Sequence, residues 1–145
     1  MFAATSSICF TRRMNQQSYY RVSVKGIAID EEGRILLSLE DDGKWSMLGG
    51  GLEHNEDPID GLKREVYEET GLAVTYVSKA PIHFFTVPKR DTGRFAANIV
   101  YEIRLDSMDF TPSEECQQLQ FFTIEEMHKI PLTPSTQKLL EIIKK

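Results

Sequence analysis

From Tyr19 onward apolar and polar positions fall into short, regular patterns. Tyr20, Val22, Val24, Gly26 and Ala28 alternate with Arg21, Ser23, Lys25, Ile27 and Asp30, which predicts a strand of mixed rather than cleanly amphipathic character. Glu31-Glu32-Gly33 supplies turn chemistry, and residues 34–39 read as a partner strand. Asp42-Gly43 is a second hairpin signal, followed by a short strand at 44–47 that runs into Gly49-Gly50-Gly51. A helix comes next. Asp57 can cap it, Pro58 suits its first position, Asp60 favours the positive end of its dipole, and Gly71 is a natural stop. Residues 73–77, 82–87 and 95–105 are strand candidates, Pro112 and Ser113 mark a loop, and 119–123 reads as a short strand. Segments 124–129 and 135–145 read as helices separated by Pro131 and Pro134. Strands interleaved with helices in this order predict an α/β fold, a mixed sheet with helices packed against it.

Composition narrows the class. At 145 residues, 41% hydrophobic and 27% charged, the chain can bury a core in one domain without staples, which rules out whole-chain disorder, collagen and a disulfide scaffold. Its 17 basic and 22 acidic residues give a net charge of -5, so no nucleic-acid polymer is expected as partner. A small phosphorylated ligand stays open, because a bound cation inverts the local field. Cys9 and Cys116 fit a reducing, cytoplasmic setting and form no metal-ligand spacing. No apolar run approaches the ~18 residues of a membrane span, so no membrane partner is expected. Residues 1–13 are rich in Ser and Thr, carry Arg12-Arg13 and precede the first acid, Asp30. They read as part of a loose extension over 1–18 ahead of a domain at 19–145, upstream of an alternative start at Met14, or as a targeting segment.

The informative stretch runs from Gly49 to Leu72. At about 100° per residue, Glu68 lies about 60° to one side of Glu65 and Glu69 about 40° to the other. The carboxylates share one face, beside an apolar stripe of Ile59, Leu62 and Val66 that would dock on the sheet. Like charges at these spacings repel, and Glu68 and Glu69 stand in the last turn, where the dipole favours bases. A solvated acidic face is the plain reading. A hard divalent cation, which takes oxygen ligands, removes both penalties and explains the placement better.

At these residues the sequence resembles the Nudix family, whose box is G-x5-E-x7-R-E-U-x-E-E-x-G-U with U a bulky apolar residue. Gly50, Glu56, Arg64, Glu65, Val66, Glu68, Glu69, Gly71 and Leu72 fill every fixed position. Leu48 departs from the proline that many members place before the paired glycines. The resemblance implies an α/β/α sandwich with a mixed β-sheet over residues 19–145. It also implies hydrolysis of a nucleoside diphosphate linked to a further group, with Mg²⁺, or Mn²⁺, as cofactor. Glu65, Glu68 and Glu69 would hold the metal together with the carbonyl of Gly49, in a loop facing the helix. Glu65 or Glu68 would double as general base, Arg64 would position the carboxylates by ion pairing, and Glu56 would tie the loop to the helix through Arg64. Some members place the base on a late loop, where Glu114 and Glu115 stand. A nucleotide-binding sensor without turnover is the alternative.

Substrate contacts are less sharply marked. Trp45, Phe84 and Phe85 could stack on a base, although strand aromatics more often build cores. His54 could touch a phosphate from the box loop. Lys89, Arg90 and Arg94 form a basic loop around Asp91 and Gly93. Pro88 weakly resembles a marker of ADP-ribose-hydrolysing members, whereas the compact size resembles members acting on nucleoside triphosphates. Both substrate classes stay open, as does homodimerisation.

Overall fold

In the computed structural model, residues 19–89 and 93–143 are described. The 1–18 extension, with Arg12, Arg13 and Met14, lies outside them, as do Arg90 and Asp91 of the basic loop. The longest strand candidate forms β7 (Phe95–Leu105), the axis of the larger sheet. β1 (Tyr20–Ile27) runs parallel to it, with Tyr20 opposite Phe95 and Ile27 opposite Glu102. β4 (Leu48–Gly51) pairs antiparallel with β1. On the other edge of β7, β6 (His83–Pro88) and β5 (Val74–Val77) pair antiparallel with successive parts of it. A sheet with one parallel and several antiparallel pairings is mixed, as the element order predicts.

β2 (Ile35–Leu39) corrects the sequence reading. It meets the end of the first strand only through a bridge between Ile29 and Ile35 and a bond from the Leu36 amide to the Ala28 carbonyl at 3.0 Å. Its ladders run instead to β3 (Trp45–Ser46) and β8 (Gln118–Phe122) in a separate three-stranded sheet. The Asp42-Gly43 turn closes β2 and β3, with the Gly43 amide on the Glu40 carbonyl at 3.1 Å.

The helices cover both faces of the larger sheet. α1 (Pro58–Thr70) buries Leu62 and Val66 against Val24, Leu48, Tyr101 and Ile103. Asp57 caps its start by accepting from the Ile59 and Asp60 amides, and Gly71 ends it at φ 71°, the left-handed region where glycine is unstrained. α2 (Ile124–Met127) is a single turn held by a capping box between Thr123 and Glu126. α3 (Pro134–Ile143) buries Leu139 and Leu140 in a core with Ile27, Met47, Phe85 and Val100. Pro134 begins this helix instead of merely preceding it, as suits a residue with a fixed φ and no amide. Sheet residues alternate between the two cores: along β7, Ala96 and Val100 face α3 while Ile99, Tyr101 and Ile103 face α1. The result is an α/β/α sandwich. Among the described residues no helix is long and apolar enough to cross a membrane.

Candidate active site

The glycine run is not a loop. Gly49 and Gly50 lie within β4, opposite Lys25 and Val24 of β1. Gly49 has φ 111°, and a Cβ there would run into the Val24 carbonyl, so only glycine lets the two strands close at this point. β4 thereby carries its backbone directly past the acidic face of α1.

Arg64 organises that face. Its Nε and Nη2 donate to both oxygens of Glu56, at 2.7 and 3.0 Å, in a two-pronged pair. Its Nη1 donates to Glu65 at 3.0 Å and to Glu68 at 3.1 Å, and Nη2 also reaches the Gly51 carbonyl at 3.1 Å. One guanidinium thus links the box loop, the helix and β4. The Arg64 hydrogen bonds, helped by the Glu53 amide, hold the Glu56 carboxyl down to about 2. The same carboxylates raise the Arg64 guanidinium above its ordinary value.

Glu69 points elsewhere. Its Oε2 accepts from the Gly49 amide at 3.2 Å. Burial pushes its carboxyl up to about 8, with Glu65 and Glu40 adding to the shift and Lys25 and the Gly49 amide opposing it. The Lys25 ammonium donates to the Gly49 carbonyl at 2.9 Å. A cation is therefore already drawn to the carbonyl that the family resemblance implies as a ligand.

Glu65 and Glu69 line a cleft of about 350 Å³ together with Gly49, Gly50, Glu40, Asp41, Glu114 and Glu115. The late loop is brought there by Ser113, whose Oγ donates to the Glu69 carbonyl at 3.3 Å. Glu40 and Asp41 escaped the sequence reading because they look like ordinary acids beside a hairpin turn. Burial raises the Glu40 carboxyl, and the nearby Lys25 charge lowers it. Glu68 is exposed and held by Arg64 beside this cleft's lining residues.

A second cleft, of about 600 Å³, shares Glu40 and Gly50 with the first and extends under the start of α3. Lys25, Lys44, Lys89, Ser46, Ser135 and Asn98 are among its lining residues. Among the described residues of the basic loop, Lys89 lines a cleft.

The other expected substrate contacts fare differently. Trp45 is only 9% exposed and packs edge-on against Phe122, with ring centroids 4.7 Å apart, so it is core and not a stacking platform. Phe84 is 68% exposed but lines neither cleft, because alternation along β6 sends Phe85 inward to the α3 core and Phe84 the other way. His54 and Arg94 are exposed and also line neither cleft.

The fit to a metal is chemical more than geometric. The available donors are carboxylate and carbonyl oxygens, the ligands of a hard cation, and the raised Glu69 carboxyl is one a cation would relieve. Among the described residues, however, no three acidic, histidine or cysteine side chains converge on one point. Arg64 draws Glu65 and Glu68 one way while Glu69 turns toward Gly49. A cation would have to recruit them by side-chain rotation.

A two-faced sandwich with acids aimed past a glycine strand defines a class, and comparison with known proteins agrees with it. The chain belongs to the NUDIX domain family, whose profile matches residues 19–142. It is 29% identical over 140 residues to mouse (Mus musculus) nucleoside diphosphate-linked moiety X motif 6, covering 88% of this chain and 44% of that protein. It is 33% identical over 76 residues to an RNA pyrophosphohydrolase of Bartonella henselae, covering 46% of this chain and 44% of that one. The chain thus spans less than half the length of these curated relatives. In fold it is similar to the MutT protein of Methanosarcina mazei Go1, with a TM-score of 0.74 at 22% identity over 88% of this chain and 95% of that one.

Proposed function

We propose that the chain is a hydrolase of phosphoanhydride bonds, cleaving a nucleoside diphosphate linked to a further group. The observation that carries this reading is the joining of α1 and β4 at one cleft, with Glu65, Glu69 and the Gly49 backbone on its wall. Glu65, Glu69 and the Gly49 carbonyl would hold Mg²⁺ or Mn²⁺, with Glu68 released from Arg64 to join them. Bound there, such a cation would supply charge neutralisation for phosphate oxygens and a lower pKa for a neighbouring water. Glu65 or Glu68 accepts the water proton, and Glu114 and Glu115 are the next candidates by position. As the water oxygen bonds to phosphorus, the bridging P–O bond breaks and its electron pair leaves with the departing phosphate. The products are a nucleoside monophosphate and the phosphorylated second group. Arg64 is a positioning residue, because its donors are taken up by protein oxygens.

The substrate is a nucleoside triphosphate or an ADP-ribose-like sugar nucleotide. Relatives named RNA pyrophosphohydrolases add an RNA 5′ end to the candidates, which the net charge alone had argued against. A binding domain without turnover draws support from the unconverged carboxylates, but the intact set of box residues favours catalysis. A panel of nucleoside triphosphates, ADP-ribose and 5′-triphosphorylated RNA, assayed with Mg²⁺ for released phosphate or pyrophosphate and nucleoside monophosphate, separates these readings. Turnover of at least one member that stops in excess chelator is expected. Binding without turnover across the panel would establish the sensor instead.

A further inference from the structure

Asn98 sits in the middle of β7 on the face that carries Ala96 and Val100, opposite Phe85 of β6 and Ser23 of β1. It is 0% exposed, and among the described residues neither its Nδ2 nor its Oδ1 has a hydrogen-bond partner. Its neighbours Ala96 and Val100 are apolar and belong to the α3 core. A carboxamide with both ends unmet is costly to hold in such surroundings. An apolar side chain of the same shape would sit there at less cost. Asn98 also lines the second cleft, which Lys25, Lys44 and Lys89 make basic and which joins the carboxylate cleft at Glu40 and Gly50.

We propose that Asn98 is a specificity-determining residue, offering its paired donor and acceptor to the edge of a nucleobase seated in the second cleft. This deepens the reading of the carboxylate cleft as a phosphate-cleaving site and rests on it. An amide oxygen and amide nitrogen side by side match the rigid, coplanar donor and acceptor of a nucleobase edge, whereas sugar hydroxyls rotate and are not held in one plane. Phosphates would then run past the lysines toward Glu65 and Glu69. A base reaching Asn98 must displace the side chains that bury it. A site built to pair both ends of an amide rejects a ligand that leaves them unpaired.

Calorimetric binding of AMP, GMP, CMP, UMP and ribose 5-phosphate to the full chain, with Mg²⁺ present, tests this without requiring turnover. The wild type is expected to bind one nucleotide at least tenfold more tightly than ribose 5-phosphate. Asn98→Leu is expected to erase that difference, with Asn98→Ala as the variant to use if leucine overpacks. Asn98→Asp keeps the shape but replaces a donor with an acceptor, and it is expected to change the rank order of the bases. A merely structural asparagine would not move that rank order. Nucleotide affinities unchanged in all variants, or no preference over ribose 5-phosphate in the wild type, would overturn the assignment. Failure of the hydrolase reading looks different: base-selective binding that depends on Asn98, with no turnover of any substrate.

Discussion

Glu69 is the residue on which chemistry and stability pull apart. Glu69→Gln keeps shape and helix propensity, yet removes a proposed metal ligand, so turnover should fall by at least about a hundredfold. Its carboxyl titrates near 8 in the fold against an ordinary value of 4.5. Between those values the folded protein holds a proton that the unfolded chain has lost, so metal-free stability should fall as pH rises from about 4.5 through about 8. Urea midpoints across this range should show that decline in the wild type and a flatter profile in Glu69→Gln. A large loss of metal-free stability in the variant would make Glu69 structural. Glu56 has the opposite sign: its stabilisation is present above pH 4.5 and lost as pH falls toward 2. Arg64→Lys tests positioning. An ammonium cannot reproduce a planar fork shared by Glu56, Glu65 and Glu68, so the Mg²⁺ concentration for half-maximal activity should rise at least about tenfold while the fold persists.

Among the elements, α1 was the easiest to read because its signals are local. Asp57, Pro58 and Gly71 act within a few residues of themselves, and the observed caps fall on Asp57 and Gly71. Asp57→Ala should therefore cost about 0.5–2 kcal/mol in denaturant unfolding, with most of the box side chains untouched. Gly71→Ala, forced into φ 71°, should cost about 1 kcal/mol. If both substitutions leave the urea midpoint unmoved, the caps contribute nothing to the domain. β2 was harder. Its run of Ile35, Leu36 and Leu37 is buried on both faces, and a hairpin-length connection suggests its partner is β1. Which strand it pairs with depends on β8, which lies far along the chain. Gly49 was misplaced for a related reason: three consecutive glycines look like a loop locally, while β1 supplies the hydrogen bonds that make them a strand.

Across the whole molecule the described residues that line the two clefts begin at Ser23 and end at Ser135. Residues 1–13 hold only Phe2, Ile8 and Phe10 as large apolar groups, little to offset about 1–2 kcal/mol of backbone entropy per ordered residue. A chain starting at Met14 should fold and keep full activity on its best substrate. A tenfold rise in KM on truncation would instead make Arg12 or Arg13 part of the site.

Residue spacing alone carries the family, the α1 helix with its caps, the strand segments and the grouping of acids on one helix face. Each of these follows from spacing within a few turns or one hairpin, where geometry repeats residue by residue. Long-range packing is what makes Trp45 core, turns Phe84 away from both clefts, and brings Glu40, Asp41, Glu114 and Glu115 to Glu65 and Glu69. The same packing brings Lys25 to the Gly49 carbonyl and leaves Asn98 without a partner among the described residues, on the α3 face of β7. Those facts depend on which strands pair and in what register. Register sets the face to which each side chain turns, and long-range pairing leaves no local period in the chain.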